Sequence, residues 1–263
     1  MLSATLFSAA LLEPKIKISG WEVLDVNKLK NGERMISFLD AEGENIDNII
    51  SDSNKEYVSI SEIPQHTIDA FVSIEDKRFF RHKGVDYIRI ASAFINNIKA
   101  MSFKEGASTI TQQLIKNTHL SSDKKISRKI KEIRIAKELE RKFDKSEILE
   151  MYLNILYFGD NMYGISTAAK VFFDVSVSEL TLAQSAVLAG VINNPSGYNP
   201  YRKPENALKR RNLVLTEMFK SGKITEEEYN RAREEKMEVN EKNNDIGQYL
   251  NSVIKDAREI LGL

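Results

Sequence analysis

No cysteine occurs among the 263 residues, which excludes disulfides, thiolate metal sites and a cysteine nucleophile. Net charge is missing too, since 38 Lys+Arg balance 38 Asp+Glu, so no global field advertises nucleic acid or a membrane surface. Glycine (12) and proline (5) are too sparse for an all-β chain of many tight turns. No apolar run reaches the ~20 residues that a bilayer span requires. The mildly apolar stretch from Leu2 to Leu12 lacks a basic n-region and stops at Glu13-Pro14-Lys15, so it suits a leader or the stub of a longer anchor better than a signal peptide. His66, His82 and His119 have neither the i,i+4 spacing nor the clustering of a metal site. No glycine-rich loop joins a strand to a helix, so no nucleotide cofactor is expected.

What is present is an ordinary folded composition, 42% hydrophobic and 29% charged, long enough for one large domain or two small ones. Charge is uneven along it. Eight acids stand against Arg34 and Lys55 between Glu33 and Glu62, whereas ten cations face five acids between Asp123 and Lys145. Such an excess concentrates an anionic ligand or, more plainly, makes a solvated helix face.

Strand signals are confined to the first sixty residues: Ile16-Lys17-Ile18, Met35 to Leu39 before a turn at Asp40-Ala41-Glu42-Gly43, and Tyr57 to Ile60. After Pro64 the apolar spacing is helical almost throughout. Ile68, Phe71, Val72 and Phe79 share one helix face, and further helices are expected over 87–101, 127–142, 145–158, 163–173, from 178, over 204–220 and from 226. Leu182, Ala186 and Ala189 give one of them a narrow face of small residues, Gly222 closes another, and Thr225 with Glu228 caps a third. The polar stretch 240–245 reads as a linker before an amphipathic segment carrying Tyr249, Leu250, Val253, Ala257 and Leu261.

Two carboxylates invite chemistry. Glu75 closes an apolar helix, where desolvation raises proton affinity and suits a general base; the plainer alternative is a helix-end acid in water. Glu132 has Arg128 and Lys129 one turn before it, which favours its ionised form as an orienting or stabilising group; the alternative is a surface ion pair worth about 0.5 kcal/mol. Between them, Gly106 to Asn117 runs from small and hydroxyl residues into Gln112-Gln113 and Lys116. Ser108 or Thr109 can cap a helix there, leaving N–H groups and Lys116 to meet an anion.

These strings also resemble a known family. Glu75-Asp76-Lys77-Arg78-Phe79-Phe80-Arg81-His82-Lys83-Gly84-Val85-Asp86 resembles the first motif of the peptidoglycan glycosyltransferases of family 51, the transglycosylase domain of class A penicillin-binding proteins. Gly106 to Asn117 is similar to the second motif, Arg128 to Glu132 to the third, Lys145 through Gly159 to the fourth and Arg210 to Leu215 to the fifth. All five stand in family order, within a resemblance from about Tyr57 to Met237.

The resemblance implies a mainly α, lysozyme-like, two-lobed fold with a small N-terminal β region. It implies a leader and strand-bearing region over 1–56, the glycosyltransferase domain over 57–239, and a linker and helix over 240–263. It further implies polymerisation of lipid II into β-1,4-linked glycan with inversion and release of undecaprenyl pyrophosphate, at the outer face of a bacterial cytoplasmic membrane, and inhibition by moenomycin. Glu75 then takes the general-base role, and Glu132 with Lys116, Arg128 and Lys129 attends the pyrophosphate. Ser108, Thr109, Gln112 and Gln113 contact sugar or phosphate, while Tyr152, Asn154 and Arg210 line or brace the cleft. A divalent cation (Mg or Mn) is implied, with no ligand set visible in the sequence. Expected partners are lipid II, the nascent glycan strand, the membrane surface and proteins of a cell-wall synthesis complex, but no nucleic acid.

Some features depart from the pattern. Ser121 to Lys124 and Lys220-Ser221-Gly222 imitate the serine motifs of a transpeptidase without the triplet that belongs between them, so a monofunctional enzyme or a piece of a bifunctional one is expected. The rival readings are a lysozyme-type hydrolase, which the cation-flanked Glu132 suits poorly, and a catalytically inactive module that binds lipid II or a cell-wall partner.

Overall fold

The computed structural model describes residues 16–18, 22–24, 57–99, 108–119, 126–160 and 162–240. The chain is mainly α. Two short antiparallel strands, β1 (Ile16–Ile18) and β2 (Glu22–Leu24), pair with Ile16 opposite Leu24. Next come α1 (Gln65–Glu75), α2 (Tyr87–Lys99), α3 (Ile110–His119), α4 (Ile126–Lys142) and α5 (Lys145–Ile155). A hairpin of β3 (Tyr157–Gly159) and β4 (Met162–Tyr163) leads to α6 (Ile165–Phe173), α7 (Leu182–Val191), α8 (Pro204–Lys220) and α9 (Glu226–Glu234). The strand expected over 35–39 and the segment beyond 240 lie outside the described residues.

The core is organised around α7. Eight of its residues, from Ala183 to Val191, are buried, as befits a helix apolar on every side. Its small side chains let α1 and α8 approach closely: Thr67 and Ser185 share a hydrogen bond of 2.8 Å between α1 and α7, and a Cβ at Gly190 would stand 2.8 Å from Arg210 Cγ of α8. Helix ends follow the chemistry expected of them. Asp144, Thr181 and Thr225 each form a reciprocal capping box with the Glu or Gln three residues on. Gly222, at φ 68°, ends α8 in a Schellman turn in which Lys223 N–H donates to the Met218 carbonyl at 2.9 Å.

Four expectations are corrected. The helix expected to open at Ser178 starts at Leu182, because Ser176 caps a separate 3₁₀ turn at Val177–Glu179 and Thr181 caps the helix itself. Tyr57 to Ile60 forms no strand; an extended stretch runs into a 3₁₀ turn at Ile60–Glu62. Side chains of α5 replace the missing ladder: Asn154 Oδ1 accepts Val58 N–H at 2.9 Å, its Nδ2 donates to the Val58 carbonyl, and Glu150 accepts Ile60 N–H at 2.8 Å. The helix expected over 145–158 stops at Ile155, and the one expected from 163 starts at Ile165. Positive φ at Gly159 (92°), Asp160 (48°) and Gly164 (85°) folds the chain between them into the hairpin. Phe79 lies outside α1, in a 3₁₀ turn at Phe79–Arg81, yet is fully buried.

The start of α2 is fixed by Asp86. Its Oδ1 accepts the N–H groups of Ile88 and Arg89, both at 3.0 Å, and its Oδ2 accepts from Arg78 Nε at 2.9 Å. Burial pushes the Asp86 carboxyl up, but the Arg89 N–H and the Arg78 guanidinium outweigh it and hold the group below its ordinary value. Because the folded state lowers this pKa, the stabilisation is full above the unfolded value and disappears as pH falls through the folded one. Asp86→Ala is therefore expected to cost about 1–2 kcal/mol at neutral pH. In urea denaturation series, the gap to the parent should close on acidification below about pH 4.

Gly84 generates a second prediction. At φ 82° it lies against α4, where a Cβ would stand 2.8 Å from the Ala136 carbonyl oxygen. Gly84→Ala should destabilise by about 2–4 kcal/mol, combining left-handed strain with overpacking. Gly222→Ala, at φ 68° with nothing within 4 Å of the new Cβ, should cost only about 1–2 kcal/mol. Thermal unfolding of the two variants side by side checks the ranking.

Candidate active site

Residues of the first three motifs, with Tyr152 of the fourth, come together where the C-terminal end of α1 meets the N-terminal end of α3. Glu75 is the last residue of α1 and is half-buried, so it is neither sealed in the core nor fully in water. Its Oε2 accepts a hydrogen bond of 2.8 Å from Gln113 Nε2, in the first turns of α3. Gln113 is itself aimed from behind, because its Oε1 accepts from the hydroxyl of the fully buried Tyr152 at 3.1 Å. Burial, followed by the charges of Glu75 and Asp76, pushes the Tyr152 phenol well above its ordinary pKa, so its hydroxyl keeps the proton it donates to Gln113.

Asp76 turns away from the opening. It is fully buried, and its Oδ2 accepts Ile110 N–H at 3.0 Å and pairs with His82 Nε2 at 2.9 Å. A carboxylate thus meets the partial positive charge at the start of α3. Thr109 and Gln112, expected to contact sugar or phosphate, are instead used for the cap of that helix. Thr109 Oγ1 accepts Gln112 N–H and donates to the Gly84 carbonyl at 2.7 Å, while Gln112 Oε1 accepts Thr109 N–H at 3.1 Å. The two residues are 0% and 1% exposed. The capping role offered for Thr109 is thus the one formed, because the orphan N–H groups of a helix start are satisfied most cheaply by the nearest hydroxyl and amide.

Ser108, half-buried just before the cap, faces the cationic helix. Lys129 Nζ donates to Ser108 Oγ at 3.1 Å and also pairs with Glu132. Glu132 is only 3% exposed, so it is no surface ion pair, whereas the Lys129 side chain is 45% exposed. Arg128, one turn before Glu132 on α4, is half-buried, and its Nε has no hydrogen-bond partner. Lys116 stands exposed on α3, three residues beyond Gln113 and so on the same side of the helix. Burial pulls the Lys145 ammonium below its ordinary pKa, against Glu140 and Asp76. It pairs with Glu140 at 2.6 Å and lies 4.2 Å from the Phe79 ring centroid, serving as a pin between α4 and α5.

Two further expected residues make their contacts with other segments. Asn154 spends its amide on Val58 and on the Glu150 carbonyl. Arg210 stacks over Tyr198 at 5.5 Å on the α8 side. Its neighbour Arg211 is the buried one, donating to the carbonyls of Arg233 and Glu235 at the end of α9. Arg89 was not singled out by its sequence surroundings. Its Nη1 donates to the backbone carbonyl of Glu75 and, at 3.5 Å, to that of Ser108. The half-exposed pair Tyr157 and Tyr163, with ring centroids 4.9 Å apart on the hairpin, was likewise missed.

The Mg or Mn ion that the resemblance implies finds no ready donor set. Among the described residues no three His, Cys, Asp or Glu side chains cluster to hold a metal. Glu75 and Glu132 are committed to Gln113 and Lys129. Chemically, the group joins one aimed carboxylate to a second, buried carboxylate that holds a lysine at the water's edge.

The chain is similar to proteins of known family. The transglycosylase family model matches residues 42–219. Penicillin-binding protein 1A/1B of Bacillus subtilis (strain 168) is 43% identical over 219 residues, covering 83% of this chain and 24% of that protein. Penicillin-binding protein 1A of Aquifex aeolicus is 46% identical over 187 residues, 71% of this chain and 26% of its own length. Penicillin-binding protein 1F of Bacillus subtilis is 37% identical over 263 residues, 98% of this chain and 37% of that one. This chain therefore spans about a quarter to a third of the relatives it matches. Among solved structures, penicillin-binding protein 1A from Haemophilus influenzae aligns with a TM-score of 0.44 and 25% identity, covering 71% of this chain and 19% of that one. By the extent of the family match and the identity to these relatives, the chain belongs to the transglycosylase family.

Proposed function

We propose that this chain polymerises lipid II into β-1,4-linked glycan strands, with Glu75 as general base. The observation that carries the reading is a continuous series of contacts: Glu75 to Arg89, Arg89 to Ser108, Ser108 to Lys129 and Lys129 to Glu132. A carboxylate suited to taking a proton and a cationic group suited to receiving a diphosphate are thereby held in one frame.

In this mechanism the 4-hydroxyl of the acceptor GlcNAc gives its proton to Glu75 as its oxygen attacks C1 of the donor MurNAc. The C1–O bond to the pyrophosphate breaks with inversion, and undecaprenyl pyrophosphate leaves with the bonding electrons. Lys129, Arg128 and Lys116 face the developing charge, and preorganised donors act most strongly there. Glu132 pairs with Lys129 and orients it, whereas hydrolysis would call on such a carboxyl to protonate the departing oxygen. Mg or Mn enters this reading only as a counter-ion arriving with the pyrophosphate.

Lipid II is membrane-bound, so the reaction belongs at a membrane surface, the outer face of the cytoplasmic membrane. Among the described residues no helix is long and apolar enough to cross a bilayer. The start of α2 nevertheless presents Tyr87 and Ile88 at 62% and 59% exposure, an apolar edge fitted to lipid. The nascent strand and proteins of a cell-wall synthesis complex complete the proposed partners.

The test is glycan polymer on a gel from purified chain, lipid II and detergent with Mg²⁺. Glu75→Gln should lower the rate by about 10²–10⁴-fold, the range of a lost general base. Lys129→Met should lower it by about 100-fold, as for a lost charge-stabilising donor. Moenomycin should block the parent. A folded parent that binds lipid II yet makes no polymer would overturn the reading in favour of an inactive binding module.

A further inference from the structure

We infer that Arg89 is a positioning residue for the reaction, holding the general base and the cationic group in register through their backbones. This inference rests on the glycosyltransferase reading above and adds to it a residue that touches no substrate.

Helix α1 ends at Glu75, so the Glu75 carbonyl is one of the oxygens that a helix C-terminus leaves without an intrahelical donor. The Ser108 carbonyl lies just outside the start of α3 and is likewise outside any helix. Two such oxygens facing one another repel. The Arg89 guanidinium stands between them, its Nη1 donating to both, and a cation at the end of α1 also meets the negative end of that helix.

Arg89 is delivered to this place by a device of its own. Asp86 caps α2 and accepts the Arg89 N–H at 3.0 Å, so Arg89 falls in the first turn with its side chain directed back toward α1. Beyond the two carbonyls lie the two halves of the proposed chemistry. Glu75 carries the carboxylate held by Gln113, and Ser108 carries the hydroxyl held by Lys129. One guanidinium nitrogen therefore sets the spacing between base and cation without contacting either charged group.

Folding does not depend on this link. The α1–α3 junction is already closed by the Asp76–Ile110 bond and by the Thr109–Gln112 cap, and Phe71, Ile110 and Leu114 are fully buried around it. Arg89 itself is only half-buried. Its loss should consequently loosen the register of the site while the core persists.

The experiment compares lipid II polymerisation by the full chain with that of Glu75→Gln, Arg89→Met and Arg89→Lys, measuring kcat, KM and cooperative thermal unfolding for each. Arg89→Met keeps the apolar stem and removes the donors. It should unfold cooperatively, retain the parental KM for lipid II, and lose about 10–100-fold in kcat, the scale of a misplaced catalytic group. Arg89→Lys should recover part of that loss, because an ammonium reaches one carbonyl but lacks the planar fork. Parental kcat in Arg89→Met, with Glu75→Gln inactive, overturns the inference. So does a loss of cooperative unfolding in both Arg89 variants, which would make Arg89 a folding residue only. An inactive parent would overturn the glycosyltransferase reading itself, and this inference with it.

Discussion

A buried carboxylate at the start of a helix is the constraint on which the site depends. Asp76 is 0% exposed, and a carboxyl so placed is tolerable only with hydrogen-bond partners, which its Oδ2 has. The compensation is the Ile110 N–H, the start of α3 and the His82 ring. The three elements they belong to are therefore locked together: the end of α1, the 3₁₀ turn after it and the first turn of α3. Glu75 precedes Asp76 in the chain, so fixing one fixes the backbone of the other. Consecutive acids are divided between tasks, one turned inward to hold the frame and one turned outward to meet Gln113.

The rest of the molecule keeps that junction rigid by separate means. Apolar packing around α7 supplies most of the cohesion, and its small residues leave no slack between α1 and α8. On the other side, Thr111 donates to Glu140 at 2.5 Å, which also takes Lys145. This ties α3 to α4 and α5 through a mostly buried ion pair, a kind of contact that fixes geometry more reliably than it adds stability. Thr109 then binds the Gly84 carbonyl, and Gly84 lies so close to α4 that no side chain fits. The cationic helix is thus seated against the same loop that carries the first motif.

Helices from Gln65 to Glu234 were largely legible in the sequence because apolar spacing and capping residues are local signals. Thr225-x-x-Glu228 closes as the expected box, while Ser176-x-x-Glu179 and Thr181-x-x-Gln184 close alike and set the start of α7 at Leu182 rather than at the expected Ser178. Tyr57 to Ile60 misled because alternation reports an extended chain, and says nothing of whether a strand or the side chains of Asn154 and Glu150 will satisfy it. The site was legible as a set of residue types but not as a division of labour. Ser108, Thr109, Gln112 and Gln113 look alike in sequence, yet the cap consumes Thr109 and Gln112 and leaves Ser108 and Gln113 facing Lys129 and Glu75. Arg89 and Asp76 escaped for a different reason. Their partners are 19 and 34 residues away, and no periodicity within one element reports contacts between elements.

Charge counting shows the same limit from the other side. The excess of cations from Lys124 to Lys145 suggested an anion site, but the fold disperses much of it. Arg141 and Lys142 pair with Glu138, Lys145 with Glu140, and Lys137 lies over the Tyr87 ring. What distinguishes Lys129 is the asymmetry of its partner, a carboxylate 3% exposed beside an ammonium stem 45% exposed. On an open surface the same i,i+3 pair would contribute about 0.5 kcal/mol and hold nothing in place. Buried at its acidic end, it becomes a bracket: desolvation makes separation from Lys129 costly for Glu132, so the lysine is kept where the protein meets water. The signal for an anion site is therefore one cation kept at the surface by an acid that cannot leave, and the number of cations along the helix matters much less.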